Sequence, residues 1–315
     1  MVIGTGEELE IGGPVLDSPG YDLLAAVVGS EGTLGIVTEV VLRILRKPES
    51  TQTFFATFPS TDEAGAAVSG IIAAKILPAA IEMMDRLAIA AIKAATHVDW
   101  PDVGAALLMD VDGPAAEVEH TASQAIAVAV AAGAIEVRRP RDEAERMTMW
   151  RGRKGAFAAM GRISPNYIVQ DGVIPRSEIA RVLKEIELLT QKAGLRVANV
   201  FHAGDGNLHP LVLYDAAVHG QERQAEDLGG EILRICIRAG GSITGEHGVG
   251  ADKAPYMAEM FSEADLTAMN LLRCAFDPKG TFNPGKVFPT PRLCGDQRGN
   301  YLPHALEISG EAGRG

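Results

Sequence analysis

Two short stretches of the chain carry side chains that could bind a metal ion together. In the first, HAGDGNLH, His202 and His209 flank a run of turn-forming residues, and strand-like sequence lies on both sides. This pattern predicts an antiparallel hairpin in which His202 faces His209, because residues 204–207 would form the turn. Directly opposed residues share one face of the sheet, with Cβ atoms about 5 Å apart. Two imidazoles at that distance could hold one divalent cation.

The second stretch, GEHG, supplies a carboxylate and a further histidine. Adjacent residues in an extended chain point in opposite directions, so Glu246 and His247 are expected to have different roles. We interpret Glu246 as the third metal ligand and His247 as a general base. The simpler alternative for His247 is a turn histidine bonded to a backbone carbonyl. Asp205 is an alternative ligand, although it is better suited to capping the turn.

The chemistry of these donors narrows the choice of metal. Mixed imidazole and carboxylate ligands favour zinc, manganese or iron over calcium. The two stretches contain no cysteine, so a thiolate site is not indicated.

A glycine-rich segment near the start of the chain, GSEGTLGIVTE, has a different chemistry. Its three glycines, Gly29, Gly32 and Gly35, recur every three residues and lead into a β-branched run. The spacing is typical of backbone packed against a flat or phosphorylated ligand, although such a turn alone is a weak signal. The order differs from a Rossmann fingerprint, in which the glycines follow a strand and open a helix.

Arginines in one helical segment offer a site for an anion. Arginines on helices usually lie on the solvated surface, but in an acidic protein one buried guanidinium could bind a carboxylate through two hydrogen bonds. Arg153 is the best candidate and Arg162 the next. Residues 276–286, FDPKGTFNPGK, are rich in turns and are expected to return to the bound cofactor.

The elements that must position these residues alternate between short strands and single helices. An antiparallel hairpin at the histidines favours an α+β fold, in which helices cover an antiparallel sheet. A polar segment broken by proline, residues 46–50, predicts a domain boundary. We therefore expect a strand-rich first part at 1–48, with a strand over residues 35–45, a substrate and metal domain at 49–289, and a flexible tail at 290–315.

Composition excludes several classes of protein. A formal charge of −12 disfavours a general nucleic-acid surface, and no apolar run approaches the length of a transmembrane helix. The three cysteines have no paired spacing and are odd in number, which indicates a reducing compartment and no disulfide framework. A cytoplasmic protein is the expectation.

Together these motifs resemble the FAD-linked oxidase family of the vanillyl-alcohol-oxidase fold, especially its members of the glycolate oxidase and D-lactate dehydrogenase type. The similarity covers about residues 10–289. The matching segments are GSEGTLGIVTE, HAGDGNLH, GEHGVG and FNPGK.

The resemblance implies FAD-dependent oxidation of a small 2-hydroxy acid, glycolate or D-lactate, to the 2-oxo acid. It implies that His202, His209 and Glu246 bind a divalent metal, that His247 is the base and that Arg153 binds the substrate carboxylate. It also implies that FAD contacts Asn283 and residues of the glycine-rich segment. These are Gly29, Ser30, Gly32, Thr33, Gly35, Ile36 and Val37.

Two further expectations follow from the resemblance. Relatives with hydroxyglutarate-type substrates tend to have a polar residue where this chain has Leu211, which favours a small monocarboxylate. Separate subunits would accept the electrons, and such subunits could hold the protein at a membrane surface.

The resemblance also implies that residues 1–48 are the C-terminal part of an FAD-binding domain, because the family has a longer N-terminal flavin region than this sequence contains. The alternative is therefore a truncated, flavin-free metal-binding remnant without activity of its own. A metal hydrolase is a weaker alternative, because no motif supplies an oxyanion hole or a leaving-group acid.

Overall fold

A computed structural model describes residues 1–14, 20–96 and 98–289. The chain forms two compact units. The larger unit is Arg46–Glu246, and the smaller unit combines Met1–Leu45 with the segment that begins at His247. The tail predicted at 290–315 lies outside the described residues.

The larger unit is built on an antiparallel sheet. Its strands are β1 (Ser50–Phe58), β2 (Ala80–Asp85), β3 (Ala105–Gly113), β4 (Glu136–Arg138), β5 (Asn166–Val169), β6 (Gly172–Val173), β7 (Arg196–His202), β8 (Asn207–Leu208) and β9 (Pro210–Tyr214). They are arranged in the order β4-β1-β3-β2-β7-β8-β6, and β9 pairs with both β7 and β5. All of these pairings are antiparallel, which confirms the predicted α+β fold.

The helices of the described residues follow in chain order. They are α1 (Leu23–Val27), α2 (Thr61–Ala73), α3 (Arg86–Thr96), α4 (Ala115–Ala131), α5 (Glu143–Lys154), α6 (Ala156–Ala159), α7 (Ile179–Ala193), α8 (Gln221–Arg238), α9 (Met257–Met260) and α10 (Glu263–Phe276). None of them is both long and apolar enough to cross a membrane.

Helices cover both faces of the sheet because successive strand residues point to opposite sides. Phe54 and Phe58 pack into a core with α2, α4, α7 and α8, whereas Phe55 packs into a second core with α3, α5 and α6. We call the face that bears Phe55 the α5 face. Helix α5 begins after Asp142, whose side chain accepts a hydrogen bond from the Glu145 amide at 2.8 Å.

The smaller unit has a small core of its own, formed by Ile3, Leu34 and Phe276. The strand predicted over residues 35–45 is wrong. Ile36 forms an isolated bridge with Val2, and residues 37–45 are exposed and form no strand with any described residue. A β-branched run favours extended backbone, but it becomes a strand only when another segment pairs with it.

The cysteines differ from their expected state. Cys236 is a buried free thiol, whereas Cys274 is disulfide-bonded. Cys274 therefore departs from the expectation of a reducing compartment without a disulfide framework, because number and spacing do not decide which thiols the fold brings together. Cys294 lies outside the described residues.

Candidate functional site

His202 and His209 lie on the α5 face, but they are not directly opposed. His202 pairs with Asn207 across the hairpin, and the Val200 amide donates to the His209 carbonyl at 3.4 Å. The predicted pairing of His202 with His209 is wrong by two residues, because the chain turns at residues 203–206. A shift of two residues keeps every side chain on its own face. The two rings are therefore still neighbours, with centroids 5.2 Å apart and planes at 81°.

Glu246 reaches both histidines from its loop. Its Oε1 lies 3.5 Å from His202 Nε2 and 3.3 Å from His209 Nε2. The three potential ligand atoms lie within 4.8 Å of one another. His202 is half-buried, His209 is buried, and Glu246 is exposed. The predicted ligand set therefore converges on one point of the larger unit.

The loop that carries Glu246 is fixed by hydrogen bonds to Asp171, which is fully buried. Its carboxylate accepts hydrogen bonds from Thr244 Oγ1 at 2.6 Å and from the Gly245 amide at 3.0 Å. The Glu246 amide also donates to it, at 3.2 and 3.3 Å. Asp171 Oδ1 lies 3.4 Å from His209 Nε2. One buried carboxylate thus contacts both the loop and the second histidine.

Glu82 links the first histidine to the predicted arginine. It lies on β2 directly across from His202, and its Oε1 lies 2.8 Å from His202 Nδ1. Its Oε2 accepts a hydrogen bond from Arg153 Nη2 at 2.7 Å. Arg153 is buried with only 5% of its surface exposed.

These contacts shift the ionisation of two groups. The hydrogen bond to Glu82 raises the pKa of His202, against the opposing effect of its partial burial. Burial lowers the pKa of Arg153, against the attraction of Glu82 and Glu246. The arginine is nevertheless expected to stay charged at neutral pH.

Arg153 keeps hydrogen-bonding capacity that Glu82 does not use. Its Nε is buried and has no hydrogen-bond partner among the described residues. An unsatisfied buried donor of this kind indicates a place for an acceptor such as a carboxylate. Arg162, the second candidate, is exposed. Asp205 is exposed in the turn and is not a member of the ligand group.

Sequence reasoning missed three polar residues around this group: Glu82, Asp171 and Asn207. Asn207 is buried on the α5 face, and a Cβ added to Gly245 would lie 2.7 Å from its carboxamide. The available signal was an acidic residue inside an apolar strand, as for Glu82 between Ile81 and Met83. Burying a carboxylate there is costly unless it has partners, so such a residue predicts a polar contact.

The glycine-rich segment lies in the smaller unit, where Glu31 connects three of the sequence motifs. Its carboxylate accepts hydrogen bonds from the Val249 amide at 2.6 Å and from the Gly250 amide at 2.8 Å. Its carbonyl accepts a hydrogen bond from Asn283 Nδ2 at 2.5 Å. A Cβ on Gly248 would come within 2.9 Å of the Glu31 carboxylate carbon, and the φ of +89° at this residue favours glycine.

The predicted flavin contacts within this segment differ in exposure. Thr33 is buried, and its hydroxyl donates to the Ser30 carbonyl at 2.7 Å. Gly35 packs against Val2, whose carbonyl would lie 2.4 Å from an added Cβ. Gly29, Ile36 and Val37 are exposed, whereas Ser30 is half-buried. Gly29 and Gly32 have φ of +82° and +71°, with open space or only a distant contact where a Cβ would be. His247 begins the return of the chain to this unit and is exposed.

Comparison with protein families and characterised proteins gives consistent matches. The model of FAD linked oxidases, C-terminal domain, matches residues 47–287. Glycolate oxidase subunit GlcD of Escherichia coli (strain K12) is 47% identical over 300 residues, which cover 95% of this chain and 60% of the relative. The GlcD subunit of Bacillus subtilis (strain 168) is 38% identical, with 91% and 62% covered. D-lactate dehydrogenase of Anaerostipes hadrus is 30% identical, with 91% and 62% covered. The chain thus spans about three fifths of the length of these relatives.

Solved structures agree in fold. p-Cresol methylhydroxylase with substrate bound has a TM-score of 0.60 at 14% identity, with 76% of this chain and 53% of that chain covered. 4-Ethylphenol oxidase from Gulosibacter chungangensis has a TM-score of 0.59 at 17% identity, with 78% and 55% covered. At these identities the likeness concerns the fold alone.

Proposed function

The chain belongs to the FAD-linked oxidase family, and we propose that it takes part in the FAD-dependent oxidation of a small 2-hydroxy acid to the 2-oxo acid. The observation that carries this proposal is the convergence of two imidazoles and one carboxylate beside a buried arginine. Similarity to the GlcD subunits of glycolate oxidase and to D-lactate dehydrogenases supports glycolate or D-lactate as the substrate.

The proposed metal ligands are His202, His209 and Glu246. Two imidazoles and a carboxylate form a donor set that suits zinc, manganese or iron. The contacts of His202 suit metal binding. Its Nδ1 is hydrogen-bonded to Glu82, and its Nε2 lies toward Glu246. When bound, the metal ion supplies a Lewis acid and FAD supplies the acceptor for two electrons and the α-hydrogen.

Arg153 is proposed to bind the substrate carboxylate. Its guanidinium is fixed by Glu82 at one nitrogen, and its buried Nε still lacks a partner among the described residues. A guanidinium held in this way orients a carboxylate with little further loss of freedom. Leu211 is fully buried on the same face, two residues after His209. An apolar residue at that position supports a substrate without a second carboxylate.

His247 is proposed to take the proton of the substrate hydroxyl. It follows Glu246 directly in the chain, and an imidazole has a suitable pKa for general-base catalysis near neutral pH. The substrate loses the hydroxyl proton to His247 and its α-hydrogen with the bonding electron pair. The carbon–oxygen single bond thereby becomes the carbonyl of the 2-oxo acid.

The proposed FAD contacts lie in the smaller unit, at Gly29, Ser30, Gly32, Thr33, Gly35, Ile36, Val37 and Asn283. The convergence of three motif segments on Glu31 supports an ordered ligand-binding surface there. The matched relatives with the name GlcD are each a subunit of glycolate oxidase. We therefore propose that separate subunits accept the electrons from the flavin.

The test is a spectroscopic titration of the purified chain, with FAD added and then removed by gel filtration. Retained yellow flavin absorbance that bleaches anaerobically with glycolate or D-lactate is the expected result. L-Lactate serves as the control for stereochemistry. Colourless protein that still binds zinc would contradict the proposed binding of FAD by this chain and favour a flavin-free metal-binding protein.

A further inference from the structure

Glu82 occupies an unusual place for a carboxylate. It lies in the middle of β2 on the α5 face, with only 7% of its surface exposed. Its neighbours on that face include the buried apolar residues Met84 and Leu108, and Leu108 is its cross-strand partner on β3. A buried carboxylate destabilises a fold unless hydrogen bonds and an opposite charge compensate for the lost hydration.

Both oxygens of Glu82 are used, and they contact two different functional groups. Oε1 contacts His202 Nδ1 at 2.8 Å, and Oε2 accepts a hydrogen bond from Arg153 Nη2 at 2.7 Å. A carboxylate can only accept, so His202 carries its hydrogen on Nδ1. The lone pair of the neutral ring is then on Nε2, the atom that lies 3.5 Å from Glu246 Oε1.

We propose that Glu82 is a positioning residue that fixes the tautomer and ring orientation of His202 for metal binding and, through its other oxygen, holds Arg153 beside the same site. This inference rests on the proposed metal site and deepens it. Partners of this kind contribute strongly to metal affinity, because they fix the ligand ring before the metal arrives.

The substitution Glu82→Gln disrupts the double role of the carboxylate. A glutamine has one acceptor oxygen and one amide donor, so it cannot accept from His202 and Arg153 together. Either the histidine or the arginine must lose its hydrogen bond. Both outcomes disturb the arrangement without removing side-chain volume.

A matched control lies on the same sheet face and under the same helix. Asp110 Oδ2 accepts a hydrogen bond from Arg146 Nη2 at 2.7 Å, and Asp110 is 8% exposed. Its Oδ1 accepts hydrogen bonds from Thr53 and Trp150, so none of these three partners of Asp110 is a histidine. The substitution Asp110→Asn therefore changes another buried carboxylate with an arginine contact of equal length, although Arg146 is only partly buried, and it leaves the proposed ligands untouched.

The experiment measures zinc affinity by competition with a chromophoric chelator, and the ¹⁵N shifts of the His202 ring in the metal-free protein. E82Q is expected to bind zinc about 10- to 100-fold more weakly than wild type and to change the ¹⁵N shifts of the His202 ring, because the two partners no longer share one carboxylate. D110N is expected to keep the wild-type zinc affinity and the wild-type ¹⁵N shifts of the His202 ring. Equal zinc affinity in E82Q and wild type, or an equal loss in D110N, would overturn the inference while the metal site stood.

Failure of the underlying proposal gives a different result. Wild-type protein that binds no zinc would overturn the metal site itself, and with it the role of Glu82. If E82Q does not fold, Glu82→Asp provides the second test, since the charge is kept while the carboxylate is one methylene shorter. Wild-type zinc affinity in that variant would contradict the positioning role.

Discussion

The backbone amide of Glu246 donates to both oxygens of the buried Asp171 carboxylate, at 3.3 and 3.2 Å. Thr244 and Gly245 donate to the same carboxylate, so three consecutive residues of the loop are fixed through one side chain. The Glu246 side chain remains exposed. The backbone of the proposed ligand is therefore positioned independently of any contact that its carboxylate makes.

Replacing Asp171 should weaken metal binding although the ligands remain. In Asp171→Asn the side-chain NH₂ group replaces one of the two carboxylate oxygens. An NH₂ group cannot accept the hydrogen bonds that the loop donates to that oxygen, so part of the loop would lose them. We expect zinc affinity to fall about 10- to 100-fold. Asp205→Asn, at an exposed aspartate of the hairpin turn, is the control and should bind as wild type does. Unchanged affinity in the Asp171 variant would contradict the role assigned to this loop contact.

Removal of a proposed ligand should have a larger effect than removal of its support. His209→Ala leaves one imidazole and one carboxylate, and we expect zinc affinity to fall by more than about 100-fold. Isothermal titration calorimetry measures both affinity and stoichiometry. His219→Ala removes an exposed histidine outside the ligand group and should leave one zinc bound per chain. Equal zinc affinity in His209→Ala and His219→Ala would rule out His209 as a ligand of the proposed metal site.

The hairpin shows how far local sequence can predict this site. Turn chemistry between two strand-like segments correctly predicted that both histidines lie on one face. The register was wrong, because the four-residue turn lies at residues 203–206 and not at 204–207, and the position of a turn depends on which backbone bonds close it. Gly206, for example, packs so closely on the Ile174 carbonyl that a Cβ there would lie 2.2 Å from it. Contacts of that kind are set by distant segments and are absent from the local pattern.

The supporting residues were harder to predict for a related reason. Glu82 and His202 are 120 residues apart in the chain, and Asp171 and Glu246 are 75 apart. Their proximity follows from the order of strands in the sheet, which periodicity does not determine. Likewise, β-branched residues at 35–45 predicted a strand, but beyond the single bridge of Ile36 with Val2 no described residue pairs with this run.

Replacing the proposed base should affect turnover but not zinc affinity, which distinguishes it from the proposed metal ligands. His247→Asn should lower turnover about 100-fold or more if proton removal limits the rate, because the carboxamide cannot accept the hydroxyl proton. Zinc affinity should stay within a few-fold of wild type, since Glu246 and the two ligand histidines remain. Stopped-flow measurement of flavin reduction gives the rate, and calorimetry gives the affinity. Near-normal reduction would remove His247 from the mechanism.

Asp85 should make folding stability depend on pH in a region away from the proposed ligands. Burial raises its pKa to about 6, although the amides of Ala88 and Asn199 donate to it. A raised pKa means that its contribution to stability is fully present below about pH 4, where the unfolded chain is also protonated. It is lost as the pH rises through about 6, because the folded protein must then ionise a buried carboxyl.

The measurement is the free energy of unfolding by urea at pH 4 and at pH 7. Between these values wild type should lose on the order of 2 to 3 kcal/mol relative to Asp85→Asn, in addition to changes that both proteins share. Asp112→Asn, at an exposed position of β3, should show the same pH dependence as wild type. Parallel curves for wild type and Asp85→Asn would refute a raised pKa at this residue.

Glu31 should stabilise the smaller unit through the segment that follows His247. The carboxylate accepts from two consecutive backbone amides, at 2.6 and 2.8 Å, and glutamine offers only one acceptor oxygen in its place. Glu31→Gln should therefore lower the free energy of unfolding by about 1 to 3 kcal/mol and speed hydrogen exchange at Val249 and Gly250. Glu39→Gln, at an exposed glutamate of the same N-terminal segment, is the control and should change neither quantity. Protection of both amides at the wild-type level in the Glu31 variant would show that the loop is held by other contacts.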